Sequence, residues 1–387
     1  MTEITKDLET LGIISQVDER INLEQTDDDG KIRTIIHMGY ASRHLFTIEK
    51  FVKTLENRWT GGFIEERAKY SGLMQLRELF LGKNFYRSMN DCIGRYSSMY
   101  RYSARVEAFY DTCKEIGLLD PFGERHFNFE EPHHVHVRTG MAHFEIFNVL
   151  IGKIRARVQS RKFNERERLR LVNATRRERS VLEMEEAMFS EQTGRSRWLV
   201  LSLTLRIKPA FRRWVTPEMF QQYRKRFFVA RRYNELMKDI ANYVWAIEQG
   251  EESGLHLHVI LFYDARKHNH DEFIAKQIGE YWSNVATEGK GNYWNSNQAW
   301  LKRRYANKHG VGVGQINCNE REKRDALRTN LLYLAKADQY LISRSVEHMH
   351  TFDMGKIPQK IKSGRPRSVP TIESTIPAQA GVSIAGS

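Results

Sequence analysis

Two histidines one residue apart, His256 and His258, are the residues here whose type and spacing speak most directly of chemistry. They lie in Leu255-His-Leu-His-Val-Ile-Leu-Phe262, an aliphatic run of strand length. Side chains alternate along a strand, so Leu255, Leu257, Val259 and Leu261 share one face and His256, His258, Ile260 and Phe262 the other. Both imidazoles then stand on one side, close enough to grip one ion. Eight residues before His256 is Glu248, at the end of a second strand-like run, Tyr243–Glu248. The polar stretch Gln249–Gly254 reads as the turn between them, and an even register brings the carboxylate onto the histidine face. Two imidazoles and one carboxylate leave positions on a divalent ion open for water and phosphate oxygens.

Two other His-x-His pairs occur, His134-Val-His136 and His348-Met-His350. Neither has a strand pattern around it, and surface or satisfied histidines explain them better. A second chemical feature lies downstream, in Asn330-Leu-Leu-Tyr-Leu-Ala-Lys-Ala-Asp-Gln-Tyr340. Helical spacing puts Leu327, Leu331, Leu334 and Leu341 on one apolar stripe of a helix over 320–342, with Tyr333, Lys336 and Tyr340 off it. A tyrosine off the stripe is a weaker core candidate and a better nucleophile. Lys336, one turn on, can reach the same phosphate or the tyrosine oxygen. Phenol is a poor nucleophile at its usual pKa near ~10, so it needs a polarised phosphate or nearby cations.

The elements that must position these residues begin at Ser196. Trp198–Leu205 reads as a buried strand, 217–240 as a helix opened by Pro217, 243–262 as a hairpin and 271–285 as a helix. An insertion rich in Asn and aromatics (Tyr293, Trp294, Trp300) follows, then a short strand over 311–316 and the tyrosine helix. Strands and helices in this order predict an α+β fold, an antiparallel sheet with helices packed on it. Residues 195–345 are expected to form this catalytic domain. Residues 1–190 read as mostly helical and basic, with helices over 43–58, 64–82, 86–117 and 140–157, and with an arginine-dense helix or linker over 160–190. Residues 358–387, rich in Lys, Arg, Ser, Pro and Gly, read as a disordered tail.

Lys and Arg outnumber Asp and Glu by 61 to 48 in 387 residues, a net +13 that favours a polyanionic partner. Arg197, Arg206, Lys208, Arg303, Arg304, Arg365 and Arg367 are the basic residues expected to contact it. No apolar run is long enough to span a membrane, and the N-terminus is too acidic for a signal peptide. Three scattered cysteines form neither a disulfide framework nor a zinc site, which fits a reducing cytoplasm. No phosphate-binding Gly-Lys loop occurs, so no nucleotide cofactor is expected.

Ordered along the chain, Ser202-Leu-Thr204, His256-Leu-His258 and Tyr333-x-x-Lys336 resemble the three motifs of HUH replication initiators. The Glu248-to-His256 spacing resembles that of viral initiators in which a glutamate is the third ligand. The run from Tyr333 to Tyr340, with Gly364-Arg-Pro-Arg367 downstream, is most similar to inovirus-type replication proteins of phages and prophage islands. The resemblance covers about 195–367. It implies a ferredoxin-like or RRM-like sheet, Mg²⁺ or Mn²⁺, and attack by Tyr333 on origin DNA, single-stranded or cruciform. The resemblance further implies a 5′-phosphotyrosine intermediate that starts rolling-circle replication with the host helicase and polymerase. Some initiators carry a second tyrosine between the first and this Tyr340; here that position is Ala337, which favours a single-tyrosine mechanism. A relaxase or transposase of the same chemistry, and a non-catalytic DNA-binding regulator using the basic helix and Gly364–Arg367, stay open as alternatives. RNA binding by an RRM-like sheet lacks the aromatic strand it would need.

Overall fold

The structure, a computed structural model, describes residues 7–14, 23–28, 31–36, 42–57, 61–70, 72–250, 252–307 and 310–359. The fold is α+β. Its centre is an antiparallel sheet of β6 (Arg197–Ile207), β7 (Ile240–Gly250), β8 (Gly254–Asp264), β9 (Gly291–Asn295), β10 (Gly314–Asn317) and β12 (Phe352–Met354). β8 lies between β6 and β7, β12 borders β7, and β10 and β9 share the outer side of β6, one at each end. Helix Pro217–Val229 connects β6 to β7, and helix Asp271–Tyr281 connects β8 to β9. This is the split β-α-β-β-α-β order of a ferredoxin-like sheet.

Strand alternation sorts the sheet into two apolar layers. Leu199, Leu201, Leu203 and Leu205 of β6, with Leu255, Leu257, Val259 and Leu261 of β8, pack on Phe220, Phe227, Ile274 and Ile278 of the connecting helices and on Trp282 just beyond the second. Pro217 opens the first of these helices behind a Thr216 cap, whose hydroxyl accepts from the Met219 N–H. The opposite face, with Trp198, Val200, Val244, Ala246, Ile260 and Phe262, packs beneath Leu327, Leu331 and Leu334 of helix Arg321–Lys336 and Met184, Met188 and Phe189 of helix Arg161–Phe189.

Several sequence expectations shift here. The 160–190 segment is one helix, Arg161–Phe189, capped by the Ser160 hydroxyl, and most of its arginines already have acidic partners. Arg166 pairs with Glu107, Arg168 with Glu165, Arg170 with Glu167, Arg177 with Asp338 and Arg179 with Glu183. Helix Arg321–Lys336 is tied to this helix through fully buried Glu185, which accepts from Arg324 and Arg328 at 2.7–3.1 Å. The helix expected over 64–82 is instead a hairpin of β3 (Phe63–Arg67) and β4 (Met74–Glu78) followed by helix Phe80–Phe85. The tyrosine helix ends at Lys336, and Leu341 belongs to β11 (Leu341–Ser343), which pairs with β5 (Tyr100–Tyr102). The aromatic insertion contains β9, and β1 (Leu23–Asp28), the first strand of a hairpin with β2 (Lys31–Ile36), approaches it. One apolar core runs from Ile13 to Phe352, so packing does not break at 195. The tail from 360, with Arg365 and Arg367, lies outside the described residues. No described helix is long and apolar enough to cross a membrane.

Candidate metal and tyrosine site

The β7–β8 hairpin decides the site. Its register sets Glu248 directly opposite His256 and Ala246 opposite His258, so the carboxylate and both imidazoles share one face. Gly254 re-enters the strand at φ +70°, a conformation natural to glycine, and a Cβ there would press on Arg212 at 3.3 Å. The Gly254 carbonyl accepts from His256 Nδ1 at 3.0 Å, and Thr204 Oγ1 lies 3.0 Å from His258 Nδ1. With both Nδ1 atoms engaged, both Nε2 atoms face Glu248: His258 Nε2 is 2.9 Å from Oε2 and His256 Nε2 is 3.5 Å from it. Such outer partners fix ring orientation and tautomer in metal sites.

Tyr333 completes the group from above. Its hydroxyl donates to Glu248 Oε1 at 2.6 Å, while its ring stands nearly perpendicular to that of His258 at 6.2 Å between centroids. The tyrosine and both histidines are no more than 2% exposed. Burial works against the Glu248 charge, but the two imidazoles, His258 foremost, hold its carboxyl well below the usual range. Burial also lowers His256, helped by Arg206 and opposed by Glu248 and the Gly254 carbonyl, so the ring is neutral near pH 7 and its lone pair is available.

The residues fit a divalent ion. Ligand atoms of Glu248, His256 and His258 lie within 4.8 Å of one another, the one such grouping among the described residues. His256 Nε2 is buried, faces the carboxylate at 3.5 Å and makes no hydrogen bond, one of seven such side-chain atoms among the described residues.

The other expected residues fall elsewhere. Lys336 does not reach the Tyr333 hydroxyl; three residues on, it is rotated toward helix Arg161–Phe189, where it pairs with Glu178 at 2.8 Å and with Glu9. Tyr340 is packed into the N-terminal region, its hydroxyl donating to Thr10 Oγ1 at 3.2 Å. Arg206, expected to contact a polyanionic partner, is buried on the ligand face opposite His256. Arg197, Lys208, Arg303 and Arg304 are exposed, and Lys208 donates to the Gly289 carbonyl. Thr204 was singled out only within the Ser202-Leu-Thr204 motif and given no role; its place beside His258 follows from the β6–β8 register.

Neither the curated proteins nor the solved structures compared with this chain gave a match. A family description does match, over residues 159–353, from the start of helix Arg161–Phe189 into β12. Spanning the ligand strands, the tyrosine helix and the long helix between them and the N-terminal region, that match shows that the chain belongs to the YagK/YfjJ C-terminal domain family.

Proposed function

We propose that this protein is a metal-dependent DNA-nicking and strand-joining endonuclease of the HUH type, acting on the single-stranded or cruciform origin of a phage or mobile element. The observation that carries the reading is the 2.6 Å contact between the Tyr333 hydroxyl and Glu248, the carboxylate that also meets both imidazoles. Glu248, His256 and His258 would hold Mg²⁺ or Mn²⁺, which supplies Lewis-acid polarisation of the scissile phosphate. Tyr333 Oη attacks phosphorus, with Glu248 Oε1 already placed to accept its proton. The P–O3′ bond breaks, the leaving 3′-oxygen takes up a proton, and the 5′-phosphate stays on the tyrosine. Because the phosphotyrosine bond keeps the phosphodiester's energy, the free 3′-OH can reverse the step and seal a circle, or prime the host polymerase. In the present arrangement the hydroxyl is covered, so strand entry has to open the site.

The test is covalent. Protein is incubated with Mn²⁺ and labelled single-stranded fragments of the DNA that flanks its own gene, then denatured. Label retained through a 5′-phosphate on Tyr333 supports the reading, and nicks without any adduct overturn it. The deep burial of Tyr333, His256 and His258 favours a second reading, a DNA-binding regulator in which the four residues are a structural polar cluster. That reading expects neither adduct nor nick.

A further inference from the structure

Strand pairing carries the ligand face beyond the metal ligands. Glu248 stands opposite His256, His256 opposite Arg206, and Arg206 opposite Asn292. One step along, His258 stands opposite Thr204, and Thr204 opposite Trp294. Opposed residues of antiparallel strands project to the same face, so Trp294 of β9 shares the face of His258, two strands away, about 10 Å at the usual strand spacing. Trp198, Trp245 and Trp282 of this region are at most 3% exposed, whereas Trp294 remains partly exposed at the sheet edge. Its indole lies 6.5 Å from that of Trp300, centroid to centroid, with the planes at 58°. Trp300 is partly exposed as well, and its Nε1 donates to Gln298 Oε1 at 2.5 Å, which fixes the ring. Arg303 and Arg304 follow Trp300 by three and four residues on helix Ala299–Ala306, so they share its side of the helix, and both are exposed.

We propose that Trp294 and Trp300 form a base-stacking platform for single-stranded DNA, with Arg303 and Arg304 on the adjoining phosphates. Two ordered, partly exposed indoles offer π-faces that any unpaired base can cover, and neighbouring guanidinium groups neutralise the backbone. Duplex DNA keeps its base faces inside the stack and cannot use such a platform. The platform sits on the same face as the candidate ligands, which makes a stacked base a near neighbour of the phosphate held there. This last step, delivery of the strand to Tyr333, rests on the nuclease reading; the binding itself does not.

The experiment therefore removes the chemistry. Full-length protein is titrated into a labelled oligothymidylate in EDTA, with a duplex of equal length in parallel, and anisotropy is read. Trp294→Ala and Trp300→Ala should each weaken single-strand binding about tenfold, leave duplex binding unchanged and keep the melting temperature; Trp300→Phe should retain most of the affinity. Arg303→Ala and Arg304→Ala should each lower the slope of log affinity against log salt by about one. Single-strand affinity unchanged in both tryptophan variants overturns the proposal, as does an equal loss on duplex. Tryptophan-dependent binding by a protein that never forms a Tyr333 adduct keeps the platform and defeats the nuclease reading. Adduct formation with binding indifferent to both tryptophans does the reverse.

Discussion

Tyr333 and Glu248, separated by 85 residues in sequence, share a 2.6 Å hydrogen bond between phenol and carboxylate. The contact joins a helix to the strand that it covers, so any change in the seating of helix Arg321–Lys336 on β7 is felt at the two histidines as well. Tyr333→Phe deletes that bond and keeps the ring. The expected outcome is complete loss of the covalent adduct and of nicking, with retained folding, because a phenyl ring fills the same space. Tyr340→Phe should keep the adduct, since its hydroxyl bonds to Thr10 in the N-terminal region. Peptide mapping of the adduct in both variants checks this, and label on Tyr340 would relocate the nucleophile.

Metal binding can be measured without DNA. A ligand that binds only the folded state raises its stability, by about 2.7 kcal/mol at a hundredfold excess over Kd. Mn²⁺ should therefore raise the melting temperature of the wild type, and EDTA should abolish the shift. His256→Ala and His258→Ala should remove it, and Glu248→Ala should reduce Mn²⁺ affinity strongly, since this carboxylate meets both rings. A thermal shift that survives in His258→Ala would show that the ion binds somewhere else.

How far all this could be read in advance differed by element. The strand and hairpin pattern of 197–264 was legible because alternation is a local property, and each imidazole's face followed from counting by twos. The α+β class followed from element order. The placement of Lys336 was not legible: helical spacing put it near Tyr333, but the pull of Glu178 and Glu9 is tertiary. Residues 64–82 misled because Leu, Met and Glu suit helices, whereas the Phe63–Arg67 and Met74–Glu78 strands are held by pairing with each other. Trp294 was not legible as a sheet residue because Asn-rich flanks hide a five-residue strand whose partner among the described strands is the distant β6.

Lys336→Ala is expected to act on stability more than on chemistry. The ammonium is 10% exposed between Glu178 and Glu9, and both acids are partly solvated. Losing it should cost about 1–2 kcal/mol, between the values for exposed and buried pairs. Denaturant unfolding should show the loss, whereas the single-turnover rate of adduct formation should change little at temperatures where the variant is folded. A large fall in that rate without a fall in stability would return Lys336 to the reacting phosphate.

Acid should weaken the N-terminal region through His143, far in sequence from the candidate site. Its ring is 2% exposed and its Nδ1 accepts from the Glu130 N–H at 2.9 Å, which requires the neutral form. Burial first, then His134 and His136, lower its pKa below the usual 6.5, with Glu130 opposing. The unfolded chain then binds the proton more readily than the folded one. Stability is accordingly full above about pH 6.5 and falls as pH drops below it. Melting curves between pH 7.5 and 5 should show that fall, and His143→Gln, which has no titrating ring, should show a shallower one.

The last prediction concerns where the chain can be cut. A fragment beginning at 195 would keep every candidate ligand, the tyrosine and the whole central sheet. It would also strip helix Arg161–Phe189 from the ligand face, exposing Leu327, Leu331 and Leu334 and leaving Arg324 and Arg328 without Glu185. With the helix gone both arginines are open to water, so the loss comes mainly from uncovered apolar surface, at about 25 cal/mol per Å², set against the ~5–15 kcal/mol that holds a typical domain. Expression of 195–359 should therefore give aggregated or partly folded protein, while 159–359, which follows the extent of the family match, should be the more stable of the two. Glu185→Ala in the full chain isolates the same contact and should lower stability by about 1–3 kcal/mol, because Arg324 and Arg328 are partly exposed and keep Glu186. Size-exclusion profiles and urea midpoints decide the matter. A monomeric 195–359 fragment with a midpoint equal to that of 159–359 would mean that the long helix rests on the sheet without supporting it.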